Sequence, residues 1–377
     1  MVVFMLKIRL LVGCAPRLTK FRTSLLWVCV FLLSFSTAVD ATNNKGMLET
    51  RYSIMSMKAA TALLVDAIAV NDKLVAVGTR GHILVSQDGG KNWKQAKVPT
   101  QNLITGVYFA NEKDGWAVGH EAVVLHTSDG GENWDFQYGA PYMPEGVDVP
   151  NSPSDEMMND SAEDEYFMDR SGSPLLDVWF KNEKEGFAVG AYGYFLHTDD
   201  GGETWADWSG RLGNEDGWHL NAIVSPDDEL IYVAGEKGVL FRSTDGGETW
   251  IALKSPYDGS FFGMVVGPGT NEALVFGLQG HIFKTSDRGD SWREIETANQ
   301  NGLMAATLVG KHGIIVVGNG GVMMFSNDGG DSFVKHVTDD RNSIAGIVQV
   351  DGDKLLLVGQ GGVKLATPNK SLTSLNQ

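Results

Sequence analysis

Six aspartates recur in one short frame. Asp88, Asp129, Asp200, Asp245, Asp287 and Asp328 each stand two residues after a Ser or Thr and two residues before a Gly. Five residues on comes an aromatic: Trp93, Trp134, Trp205, Trp250, Trp292 and Phe333. A carboxylate so placed could bind a cation, move a proton or fold a turn. Calcium loops alternate oxygen ligands and end on a Glu, and these segments do neither. Acid–base hydrolysis of a glycoside takes one carboxyl pair about a single bond, which six equivalent copies do not make. Turn chemistry accounts for every residue of the frame. Gly takes positive φ without a Cβ clash. The Asp and the preceding hydroxyl accept backbone N–H groups, and the aromatic ring packs on its own sheet or the next. The six aspartates are read as structural, with no metal and no catalytic residue expected.

Other side chains offer little local chemistry. The eight histidines show no metal spacing, and His126 and His197 hold the same place in successive repeats, which marks them as structural. No phosphate loop, dinucleotide fingerprint or Ser-His-Asp order can be assembled from local spacing, so no cofactor is expected. Both cysteines, Cys14 and Cys29, lie in an N-terminal leader. There Lys7, Arg9, Arg17, Lys20 and Arg22 precede the apolar run LLWVCVFLLSF (25–35), and small residues offer cleavage after Ala38 or after Ala41. That order is a secretory signal, and the run falls short of the roughly 20 residues that span a bilayer. We expect 1–41 to be a signal peptide cleaved on export to the periplasm. A mature chain from Thr42 has no cysteine, which excludes thiol catalysis and cysteine metal sites. It carries 25 basic against 46 acidic residues, a net −21. That balance disfavours nucleic acid and anionic lipid as general partners and leaves room for a local basic patch.

The aspartates belong to a larger repeat. About ten residues before each lies a second element, such as AVGTRG at 76 and AVGHEA at 117, and a seventh copy, LVGQGG, starts at 357. The shared glycines are Gly78, Gly119, Gly190, Gly235, Gly277, Gly318 and Gly359. They step by 41, 71, 45, 42, 41 and 41 residues, the long step being one repeat plus an insertion. The second copy reads as four short strands at 104–110, 115–119, 123–127 and 133–138. Units of this size with four strands are propeller blades. The fold expected is all-β: a seven-bladed propeller over 60–367, four antiparallel strands per blade, with a tail at 368–377. The seventh copy lacks the Asp-Gly-Gly turn, and residues near 50–58 (within a segment 42–59) are expected to supply its outer strand.

The Ser/Thr-x-Asp-x-Gly-x-Thr-Trp pattern resembles the Asp box of sialidase-like and related propellers. Such a likeness raises a glycosidase. Sialidases hold a carboxylate with three arginines and use a Tyr nucleophile, and no such arginine motif stands near the first blade. The longer units DGWAVGHEAVVLHTSDGGENW (114–134) and EGFAVGAYGYFLHTDDGGETW (185–205) are similar to the photosystem II stability/assembly factor family. That resemblance covers about 60–367. It implies a seven-bladed, lumenal or periplasmic chaperone that binds a newly made membrane subunit and is not an enzyme. A membrane-protein client, no nucleic acid and a monomeric state are expected. A glycan hydrolase and a carbohydrate- or peptide-binding propeller are the rival readings.

A partner is expected on the face that carries the second-to-third-strand turns, where side chains vary within constant glycines. The candidates there are Arg80, His120, Glu121, Tyr192, Lys237 and Gln279. Connections between blades add Arg211, Trp218, His219, Phe261, Phe262 and Arg341. Trp218 and the Phe pair are either interface anchors or core residues that open the inner strands. The insertion, 141–174, holds nine acidic residues against one basic, Arg170, and is disordered by composition. Its apolar ends, YMP and EYFMDR, make it a candidate client-binding flap.

Overall fold

The computed structural model describes residues 51–139, 172–352 and 354–367. The leader, nearly all of the acidic insertion and the tail lie outside the described residues. Seven antiparallel sheets follow one another along the chain, six of four strands and a last one of three. The second runs Ile104–Phe109, Gly115–Gly119, Val124–Thr127 and Asp135–Tyr138, within two residues of the expected bounds. The first strands of the seven sheets are Leu64–Val70, Ile104–Phe109, Leu175–Phe180, Leu220–Val224, Phe261–Val266, Leu303–Val309 and Ile344–Gln349. Each touches the next in an unbroken cycle, the last returning to the first. The molecule is a seven-bladed propeller with these strands innermost. Among the described residues no helix is long and apolar enough to cross a membrane.

Seven apolar clusters glue the ring, one at each seam between blades. At the closing seam Leu64, Leu74 and Leu84 of the first blade meet Leu356 and Val358 of the seventh. Residues 51–58 form no strand, so the expected outer strand of the seventh blade is not there. Instead Ser53 donates its N–H to Val98 O at 2.8 Å, and Gln95 bonds both Ser56 N and Ile54 O in the first blade. The turn Ala59–Thr61 then reaches the third strand of the seventh blade, where Ala60 O lies against Gly362. The segment does join the two end blades, but as a strap across both.

The repeated glycines have a reason that the repeat alone does not give. Gly78 and Gly235 are extended, with φ of 177° and −160°, which any residue adopts. A Cβ at Gly78, Gly119, Gly235 or Gly318 would stand 2.1–2.4 Å from the carbonyl oxygen that enters the inner strand. The requirement is close backbone approach. Beside each such glycine the inner strand carries a β-bulge. The bulge re-aims its second residue, and Val65, Thr105, Leu176, Asn221, Phe262, Met304 and Ala345 all line one central cavity of about 390 Å³.

Candidate functional site

The aspartate turns lie at the opposite end of the blades from the second-to-third-strand turns. In the second blade Gly130 and Gly131 have φ of 76° and 93°. Thr127 Oγ1 donates to Asp129 Oδ1 at 2.9 Å and accepts Gly131 N–H at 2.9 Å. Asp129 Oδ1 also accepts Asn133 N–H at 3.0 Å, and Oδ2 accepts Asn133 Nδ2 at 2.7 Å. All six turns repeat this set, with Thr204, Thr249, Ser291 and Ser332 replacing the Asn side chain. Bonds from Asn92 hold Asp88 down at about 2, and bonds from Thr204 do the same for Asp200. The indoles of Trp93, Trp134 and Trp250 donate to the glycine carbonyl of their own turn at 2.9–3.1 Å. Carboxylates this fully engaged by donors have little left for a cation. Stripping divalent cations with EDTA is therefore expected to move Tm by less than about 1 °C, and a fall of about 5 °C or more would reinstate calcium.

The rim end gathers some of the expected residues and scatters others. Tyr192, 48% exposed, meets His219 edge to face with ring centroids 5.0 Å apart. Lys237 Nζ sits 5.8 Å from the Trp218 ring, and the indole N–H of Trp218 donates to Asp216 at 3.2 Å. His219 Nδ1 lies 3.9 Å from Glu236 Oε2. Arg211 stacks over Trp208 at 3.5 Å. This gives an aromatic and cationic sector over the third and fourth blades. Arg80, His120 and Glu121 belong to the first two blades, Gln279 to the fifth, and Arg341 to the connection between the sixth and seventh; all five are exposed. Phe261 is a correction. It is fully buried, packed on Tyr257 and Phe283. Its strand position is the one that Leu64, Ile104, Leu220 and Leu303 fill as core. Phe262, at the bulge, faces the central channel.

A second rim feature was not legible as a motif. The middle residue of each second-to-third-strand turn is left-handed: Arg80, Glu121, Tyr192, Lys237 and Gln279 have φ of 55–60°, and Gly320 has 69°. Five blades thus keep a side chain where glycine is free of strain. A non-glycine residue costs about 1 kcal/mol there, and such strain collects at functional surfaces.

The central channel holds two carboxyls that motif reasoning missed. Asp66 accepts Ala67 N–H at 2.8 Å on one oxygen and Val107 N–H of the second blade at 2.9 Å on the other. Asp177 accepts Val178 N–H at 2.8 Å and Ile223 N–H of the fourth blade at 2.9 Å. Each carboxyl ties its blade to the next. Thr105 and Asn221 do the same in the alternating seams, donating to Leu175 O at 2.6 Å and Phe261 O at 2.7 Å. Burial pushes Asp66 up to about 6 and Asp177 to about 7, the charge of Asp66 adding to the latter. The signal was available in the strand alignment. At the same position the other blades have Gly106, Ala222, Gly263, Ala305 and Gly346.

The model of the photosynthesis system II assembly factor YCF48 family matches residues 45–162 and 168–305. The photosystem II assembly lipoprotein Ycf48 of Synechococcus sp. (strain CC9902) is 42% identical over 72 residues, 19% of this chain, and the match spans only about a fifth (21%) of that relative's length. Among solved structures, YCF48 bound to D1 peptide superposes with a TM-score of 0.61 at 17% identity, over 82% of this chain and 94% of that one. YCF48 from Cyanidioschyzon merolae gives 0.61 at 16%, over 84% and 98%. The GH74 xyloglucanase from Xanthomonas campestris gives 0.62 at 13%, over 84% and 53%, a likeness of fold alone. With two thirds of its length matched by the family model, the chain belongs to the photosynthesis system II assembly factor YCF48 family.

Proposed function

We propose that the protein is a non-enzymatic assembly or stability factor that acts outside the cytoplasm and holds a segment of a membrane-protein client on its rim. The observation that carries this reading is the sector built from Tyr192, His219, Trp218 and Lys237. Aromatic and cationic side chains supply hot-spot energy at interfaces, and two of these four are held at left-handed positions that glycine would occupy without strain. The family, the D1 peptide named with one solved relative and the lipoprotein named in Synechococcus all support it. The hydrolase rival has one observation in its favour, the carboxyl pair in the channel. Each oxygen of that pair is engaged by a backbone N–H of its own or the next blade, which accounts for the pair as ties between blades.

The left-handed turns provide a clean test. Tyr192→Gly with Lys237→Gly removes both side chains and relieves the backbone, so Tm is expected to hold or rise slightly. Capture of the client from detergent-solubilised membranes, read by mass spectrometry, is expected to fall about tenfold or more. Undiminished capture by the double variant would overturn the rim assignment, and recovery of no membrane protein by the parent chain would overturn the assembly reading.

A further inference from the structure

Four of the twelve exposed large apolar side chains among the described residues, Tyr52, Ile54, Met55 and Met57, fall in the strap. Ile54 is 64% exposed, Met55 59% and Met57 completely. This segment is pinned in place. Ser53 is buried, and its N–H and hydroxyl, the Ser56 N–H and the Ile54 carbonyl are all bonded inward to the outer strand of the first blade and its continuation. Because the backbone faces the blade, the apolar side chains face out.

The charge around them opposes that of the whole. Residues 51–65 contain Arg51 and Lys58 and no acid, and residues 89–111, which include the strand beneath, contain Lys91, Lys94 and Lys97 and no acid. Lys97 lies over the Tyr52 ring at 4.0 Å. In a protein of net −17 the protruding Ile and Met side chains thus lie beside Lys58 and Lys97, while Lys94 is paired with Glu132 of the second blade. Protein hot spots favour pockets that exclude water. Protruding aliphatic side chains flanked by Lys, Arg and Tyr instead suit the boundary between lipid headgroups and acyl chains. We infer that the strap, residues 52–58, docks the propeller on an anionic bilayer surface, with Ile54, Met55 and Met57 entering the headgroup region and Lys58 and Lys97 facing lipid phosphates.

Oxidation of the two methionines reads this contact directly. The purified full chain is treated with dilute hydrogen peroxide, alone and with phosphatidylcholine vesicles containing about three tenths phosphatidylglycerol, a composition that attracts Lys and Arg. Met55 and Met57 are expected to oxidise about tenfold more slowly with the vesicles, while buried Met264 stays slow throughout. Lys58→Glu with Lys97→Glu is expected to abolish the protection. A leader that tethers the chain to lipid acts equally on parent and variant, so their difference reports the strap. Rates unchanged by vesicles, or methionines already slow in buffer because the chain covers its own patch, would overturn the inference. So would protection by lipid-free solubilised membrane proteins and not by vesicles, which would make the surface a protein contact. Because no rim residue takes part, Tyr192→Gly with Lys237→Gly must leave the protection intact even where client capture is lost.

Discussion

Trp116→Ala is expected to lower the unfolding free energy by about 3–5 kcal/mol and Tm by about 5–15 °C. Trp116 is fully buried. Its ring stacks on Phe180 of the third blade, centroids 3.5 Å apart and planes 10° from parallel. Its indole N–H donates to Gly201 O at 3.1 Å, in the aspartate turn of that same blade. Truncation opens a cavity at the seam and removes one of the donors that satisfy Gly201, the other being Gln137. Trp205 is the internal comparison. It is half-buried, its Nε1 has no hydrogen-bond partner among the described residues, and its loss should cost about half as much. Trp116→Phe keeps the stack without the hydrogen bond and is expected to fall between. Urea titration of the three variants decides it. If Trp116→Ala cost under about 1 kcal/mol, the seams would not be what holds the ring together.

Six copies of one turn and seven glycines at steps of 41–45 residues, save one of 71 that holds the insertion, fix blade number, strand order and the structural role of the aspartates, because repetition exposes the constant parts of the frame. The reason for a constant residue is less visible. Gly78 and its equivalents look like turn glycines, yet they are extended and small because a carbonyl passes close by. Pairings between remote segments are less visible still. The strap was expected on the seventh blade and lies along the first, since its path depends on where the closed ring leaves free donors. Phe261 and Phe262 are adjacent and alike in sequence, and only the bulge between them decides which enters the core. Asp66 and Asp177 escaped because they match no motif. They are two departures from a column of Gly and Ala that only an alignment of the inner strands reveals. The rim positions were legible one by one, but the meeting of Tyr192 with His219 and of Lys237 with Trp218 comes from the ring, which brings the third- and fourth-blade turns beside the connection at 208–219.

The two channel carboxyls give the ring a stability profile opposite to that of its turns. Asp66 and Asp177 titrate at about 6 and about 7 in the fold, against about 3.9 for an unfolded aspartate. Raised folded values mean that their contribution is fully present below about pH 4 and is lost as pH climbs through about 6 and 7. Asp88 and Asp200, held at about 2, do the reverse: their contribution stands above about pH 4 and fades as pH falls toward 2. Stability should therefore crest near pH 4–5 and decline on both sides. After allowing for partial access to the channel, the upper limb is expected to cost on the order of 2–4 kcal/mol between about pH 4 and 7. Asp66→Asn with Asp177→Asn cannot titrate. Each amide keeps one acceptor and turns an N–H toward the other donor, so the double variant starts less stable at pH 5 but its upper limb flattens. The repulsion among the remaining negative charges acts on both proteins alike, so the difference in slope isolates the pair. Unfolding free energies measured in urea from pH 4 to 8 give that slope directly. Parallel limbs for parent and double variant would mean that the channel carboxyls stay ionised in the fold. An ionised pair could not supply the general acid that glycoside hydrolysis needs, so that outcome would count against the hydrolase reading as well.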